Sequence, residues 1–518
     1  MTSARYRNPV IPGFFPDPSV CRVGEDFYLA ASSFEYFPGV PLFHSRDLVN
    51  WTPVGHALTR KSQLNLDGVA CSDGIFAPTL RWHDGRFYLV TTNVWGGGGN
   101  FYVWAEDIRG PWSEPVWLDR DWFDPSLFFD EDGRCYYTRR NGHAIVQSEL
   151  DVRAGRLIGE MREIARPWVS LDGEGPHLYK VDGRYYLMTA EGGTGFGHMV
   201  CIGRADTPWG PFEPCPANPI LSHARQTTTR VRYTGHGDLV EAADGTWWMV
   251  FLATRHAPQN GACLHHLGRE TFLAPVRWVD GWPLVNEGRL IGLEMEVASL
   301  PGGGAEMVSW PLPAEERDEF GAAWPGPEWA FIRNPAAGMW DTATRPGWLR
   351  LRGQAAGLDD VGAPAFAGRR LDAPGFSARV RLACEPRHEG EAAGLTLLLS
   401  NAFHAEVGVR WRAGAREWFV RRRAGDMVMD AWSAPLERDG AVELEIAGDW
   451  AGMRFVADGR EVARAERRFF CTEVAGGWTG CFVGVFAEGE GVEADFTAWT
   501  YRRIPLDEPP AYPEWPTL

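Results

Sequence analysis

The sequence predicts an all-β protein, a five-bladed β-propeller followed by a β-sandwich, on three observations. An acidic turn leading into an aromatic pair recurs five times in the first half of the chain. Near residue 300 that recurrence stops, and strands of strict two-residue alternation follow. The composition, with 60 Gly, 37 Pro and 25 Trp among 518 residues, suits many short strands joined by tight turns and does not suit long helices.

The five copies are Glu-Asp-Phe-Tyr-Leu (25–29), Asp-Gly-Arg-Phe-Tyr-Leu (84–89), Asp-Gly-Arg-Cys-Tyr-Tyr (132–137), Asp-Gly-Arg-Tyr-Tyr-Leu (182–187) and Asp-Gly-Thr-Trp-Trp-Met (244–249). Their second aromatics, Tyr28, Tyr88, Tyr136, Tyr186 and Trp248, are 60, 48, 50 and 62 residues apart. A period near fifty, with an Asp-Gly hairpin feeding an apolar strand, is what a four-stranded propeller blade requires. Ser-Arg-Asp-Leu-Val-Asn-Trp (45–51), Ala-Glu-Asp-Ile-Arg-Gly-Pro-Trp (105–112) and Arg-Ala-Asp-Thr-Pro-Trp-Gly-Pro-Phe (204–212) read as outer-strand segments of three blades.

The propeller is expected over 1–302, a Pro- and Gly-rich linker over 303–317, a β-sandwich of jelly-roll, concanavalin A-like type over 318–505, and a tail over 506–518. Alternating strands such as 394–400, 406–411, 442–447 and 480–486 carry the sandwich expectation.

A net charge of −17 excludes nucleic-acid and anionic-membrane partners, which need a positive surface, and favours a small neutral ligand. No segment is apolar enough to cross a bilayer as a helix. The nine cysteines are odd in number and lack metal or redox spacing, so buried free thiols are expected. The first ten residues lack the apolar run of a secretory signal, which makes the cytoplasm the expected address. No cofactor and no metal-ligand cluster are legible, and homo-oligomerisation is left open.

Counting back eleven or twelve residues from each second aromatic reaches Asp17, Ala77, Asp124, Glu174 and His236. If the strand before each hairpin is the innermost of its blade, these equivalent positions form a ring around the propeller axis. Three acids and a histidine would then share one cavity. Repulsion and desolvation make such a cluster unfavourable for structure alone, whereas hydrolysis of a glycosidic bond needs two carboxyl groups whose pKa values are held apart. The Pro on each side of Asp17 restricts its backbone.

The segments 8–19, 32–39, 123–128, 174–180, 190–194, 234–240 and 267–272 resemble glycoside hydrolase family 43, in particular its β-xylosidase and α-L-arabinofuranosidase members with a C-terminal β-sandwich. The resemblance implies an inverting mechanism with Asp17 as general base, Glu174 as general acid and Asp124 as the residue that orients the acid and keeps its pKa raised. It also implies that Phe34, Phe76 and Thr194 surround the terminal sugar, that Arg269 hydrogen-bonds its hydroxyls and that His236 forms the floor. Phe76 stands where many relatives have Trp, which shrinks the stacking surface. Trp478 is the candidate contact from a sandwich loop that closes over the pocket and restricts cleavage to non-reducing ends. The implied substrate is a short xylo-oligosaccharide cut by an exo-acting β-xylosidase. Arabinofuranosidase action is the alternative, and a sugar-binding propeller without catalysis the reading from another class.

Overall fold

The computed structural model describes residues 4–226, 229–259, 262–303 and 312–506. Five antiparallel sheets are each built from contiguous chain. They open with the strands Ser19–Val23, Thr79–His83, Ser126–Phe129, Gly173–Val181 and Val231–Glu241. Each opening strand packs against the opening strands of both neighbouring blades, and the last contacts the first, so these five line the axis. In blades 2 and 4 the hairpins have both central residues at positive φ (Asp84 48°, Gly85 77°; Asp182 49°, Gly183 77°), the twist that matches tight antiparallel strands.

The ring does not close by exchanging a strand. The amino-terminal strand Ala4–Arg7 pairs with Glu294–Val297 beyond the last blade. Beside it, the Asn8 side chain accepts from Leu273 N–H (2.9 Å) and donates to Leu273 O (3.0 Å). Around the axis, Asp238 of blade 5 accepts from Arg81 of blade 2 (2.8 Å), Ser19 Oγ of blade 1 (2.7 Å) and Tyr179 Oη of blade 4 (2.6 Å). Burial alone would raise the Asp238 pKa, but Arg81 and its other partners outweigh it and hold the carboxylate well below its ordinary range.

The segments read as outer strands are turns. The third strands of blades 1, 2 and 4 end at Ser45, Ala105 and Ala205, where those segments begin. In blade 1, Asp47 Oδ1 accepts the N–H groups of Val49 and Asn50 (2.9 and 2.7 Å), a side-chain-stabilised turn that delivers the chain to the outer strand Thr52–Leu58.

The second unit is two facing antiparallel sheets, one running through Glu493–Arg503 and Phe376–Cys384, the other through Ala392–Ser400 and Phe482–Glu488. Their inner faces bury Trp329, Trp499, Phe376 and Phe496, each worth about 1.5–3 kcal/mol relative to exposure. Residues 304–311 of the expected linker and 507–518 of the expected tail lie outside the described residues. Within the linker range, Glu315–Asp318 is already a strand paired with Trp499–Arg502. The sandwich also takes a strand from the propeller: Tyr36–Phe37 pairs with Phe331–Ile332.

Candidate active site

Equivalent backbone hydrogen bonds place the ring positions. The backbone bonds Ser32 N–H to Pro16 O (3.0 Å), Phe76 N–H to Thr92 O (3.1 Å) and Arg140 N–H to Phe123 O (3.3 Å) each tie the residue before a ring position to the second strand of its blade or, in blade 1, to the segment just beyond it. Asp17, Asp124 and His236 all sit at positive φ (53°, 57° and 46°). Three non-glycine residues in that costly region at one register mark a functional constraint. Gly175, at φ 54°, has no alternative, since a Cβ there would lie 2.7 Å from His236 Nε2.

At one end, Asp17 is 5% exposed. It accepts from Ser32 Oγ at Oδ2 (2.6 Å) and from Arg269 Nη1 at Oδ1 (3.0 Å), with His236 Nδ1 3.4 Å away. Burial alone would raise its pKa. Arg269, His236 and the Ser32 hydroxyl together outweigh that and hold it below the ordinary carboxylate range. A carboxylate has about four lone-pair directions, so this ionised group keeps room to accept from a water.

At the other end, Asp124 Oδ2 accepts the N–H of Gly175 (3.0 Å), which fixes the backbone beside Glu174. Burial, assisted by the charges of Glu174 and Asp17, pushes Asp124 up to about 7 against the opposing pull of His236 and Arg140. Glu174 Oε2 forms an ion pair with Arg140 Nη1 at 2.6 Å.

These groups line one cavity of about 880 Å³ that also includes Phe34, Phe76, Thr194, His236, Arg269 and Trp478. Phe34, Phe76 and Phe123 form one aromatic wall, with centroid separations of 5.1 and 5.5 Å. Arg269 Nη1 also donates to Thr194 Oγ1 (2.9 Å), and its Nε donates to the carbonyl of Trp478 (3.2 Å). Trp478 N–H donates to Ser72 Oγ (2.9 Å), so a sandwich segment is clamped to the propeller at the rim. Every residue expected in the site is thus brought to it.

Sequence reasoning missed Ser32, Arg140, Phe123 and Trp122. Ser32 and Arg140 lie four residues beyond the second aromatics Tyr28 and Tyr136. The same counting carried forward across the hairpin reaches both. Trp122 has no register signal, and its ring lies 5.4 Å from the Arg140 guanidinium.

The profile of glycosyl hydrolases family 43 matches residues 6–283, and that of the beta xylosidase C-terminal concanavalin A-like domain matches residues 317–502. The chain is 41% identical over 96% of its length, and 94% of the relative, to the non-reducing end alpha-L-arabinofuranosidase BoGH43B of Bacteroides ovatus. It is 38% identical over 94% of its length, and 96% of the relative, to a xylosidase/arabinosidase of Butyrivibrio fibrisolvens. Among solved structures, the xylan beta-1,4-xylosidase of Bacillus halodurans C-125 superposes with a TM-score of 0.89 at 33% identity, covering 96% of this chain and all (100%) of that one. The propeller, the appended sandwich and these matches agree: the chain belongs to glycosyl hydrolases family 43 and is a glycoside hydrolase.

Proposed function

We propose that the protein is an inverting, exo-acting pentosidase that releases xylose from the non-reducing ends of β-xylo-oligosaccharides and accepts α-L-arabinofuranosides in the same pocket. The observation that carries this is the convergence of three carboxyl groups on one cavity, with Asp17 held by Arg269 and Ser32 at one end and Glu174 beside a backbone fixed by Asp124 at the other. Asp17 takes a proton from a water that attacks the anomeric carbon. Glu174 gives a proton to the leaving oxygen on the other side, and the C–O bond breaks with the electron pair on that oxygen. Asp124 positions Glu174 through Gly175 N–H. Phe34 and Phe76 pack on the sugar, Arg269 and Thr194 bind its hydroxyls, and Trp478 limits the depth of entry.

Arabinofuranosidase as the leading activity is favoured by the name of the 41%-identical Bacteroides ovatus relative, and β-xylosidase by that of the Bacillus halodurans structure. Rates on p-nitrophenyl β-D-xyloside and α-L-arabinofuranoside rank the two. NMR of the first-formed sugar is expected to show the inverted anomer, and retention would remove Asp17 from the base role. Sugar binding with no release of either chromogen would make the propeller a binding module. Six buried free thiols among the described cysteines support a reducing, cytoplasmic setting.

A further inference from the structure

Five residues before Trp478, on the same sandwich segment, Glu473 reaches into the propeller. Its Oε1 lies 2.8 Å from His256 Nε2 and 2.5 Å from His265 Nδ1. The three ligand atoms all fall within 4.8 Å of one another. They come from three separate pieces of chain. His256 follows the second strand of blade 5, His265 follows the strand Ala262–Leu264, and Glu473 sits in the single helical turn Thr472–Ala475. The side chains are 0%, 2% and 18% exposed, so bulk water does not account for the convergence.

The far nitrogens are also held. His256 Nδ1 lies 3.1 Å from Thr254 Oγ1, and His265 Nε2 lies 3.2 Å from Thr472 Oγ1. A hydroxyl can accept from the far N–H, which leaves the near nitrogen of each ring with a free lone pair. Such outer partners fix the tautomer of metal-binding imidazoles. Tyr233 walls the group, its ring edge-on to both imidazoles at 4.8 and 5.7 Å. A hydrogen-bonded staple would need only one of the two imidazoles.

We propose that His256, His265 and Glu473 form a binding site for a borderline divalent cation such as Zn²⁺, which fastens the sandwich segment bearing Trp478 to blade 5. Two imidazoles and one carboxylate are a set such ions prefer, and they leave a fourth position for water. The site is structural, since it lies off the carboxylate ring, yet it meets the cavity along two segments. Glu473 leads to Trp478, and Tyr233 lies three residues before His236 and accepts a hydrogen bond from His198 Nδ1 at its carbonyl (3.2 Å). Loss of the ion is therefore expected to raise KM several-fold and leave kcat nearly unchanged.

The test uses the full chain, stripped with chelator, equilibrated with Zn²⁺ or Co²⁺ and dialysed. One Zn²⁺ per chain is expected, with a Kd of about 1 μM or tighter, together with a visible Co²⁺ spectrum of low coordination number. His265→Ala and Glu473→Gln should each weaken binding at least about 100-fold, because ligand loss exceeds the 10–100-fold cost of losing an outer partner. His236→Ala should leave the zinc content unchanged, which separates this site from the histidines at the axis. A wild-type protein that takes up neither ion overturns the proposal, as does zinc retained in both ligand variants or lost with His236→Ala. Should His265→Ala fail to fold, the isosteric Glu473→Gln and the wild-type Co²⁺ spectrum still decide it. Zinc content is read without activity, so its outcome is independent of the substrate assignment.

Discussion

The two ends of the cavity use one register of one repeat and bias their carboxyl groups in opposite directions. Asp17 and Asp124 share a Pro-Ser continuation, a positive φ and nearly complete burial (5% and 6% exposed). What differs is the neighbour set. Both face His236, but Asp17 accepts from Arg269 and the Ser32 hydroxyl, whereas Asp124 faces the carboxylates of Glu174 and Asp17, with Arg140 as an opposing charge and the Gly175 N–H as a donor. Burial pushes both upward, so the sign of the final shift is decided by donors and charges within a few ångströms. The repeat supplies position, and the residues arriving from other blades supply chemistry.

The sharpest way to break this comparison is Asp17→Asn, which keeps the shape and removes the charge. Turnover is expected to fall about 10³-fold or more on every substrate, since general-base action contributes about 10²–10⁴-fold and the amide also disturbs Arg269. A fall of less than tenfold in kcat would show that the donors around Asp17 serve only to hold the fold. Next in size, Glu174→Ala should cost about 10²–10⁴-fold on xylobiose, whose leaving alcohol needs a proton, and far less on the p-nitrophenyl xyloside, whose leaving phenolate does not. Equal losses on the two substrates would erase the functional distinction between the ends.

Much of this site is legible in the sequence because blade repeats preserve register. The ring positions Asp17, Asp124, Glu174 and His236 follow from counting back from Tyr28, Tyr136, Tyr186 and Trp248. Arg140 was within reach of the same counting, but its pairing with Glu174 joins blades 3 and 4, and no spacing within one blade encodes which neighbour a long side chain will meet. The cluster of His256, His265 and Glu473 was less legible still. Glu473 lies more than 200 residues from the histidines, and only the docking of the sandwich on the propeller brings it to them. The segments at 45–51, 105–112 and 204–212 read as outer strands from their place after the repeats, whereas in blade 1 Asp47 is a turn-forming acceptor.

The smallest expected effect is the most direct probe of the contrast, because it reads stability and not rate. Asp124 titrates near 7 in the folded protein against 3.8 for an ordinary Asp. Between those values the native state holds a proton that the unfolded chain has lost, so stability falls as pH rises through this window and levels off above it. Asn cannot ionise and so lacks that fall, and its side-chain oxygen can still accept from Gly175 N–H. Asp124→Asn should therefore match the wild type near pH 4 and exceed it at pH 8 by about 2 °C or more in Tm. Asp17, with its pKa lowered, should give the opposite sign: Asp17→Asn is expected to lower Tm at pH 8, where the ionised carboxylate stabilises the native state, and to approach the wild type as pH falls through the native pKa of Asp17. Thermal melts of both variants at the two pH values check this. If the two differences share a sign, the ends of the cavity are not electrostatically opposed, and the assignment of Asp17 as the ionised base fails with it.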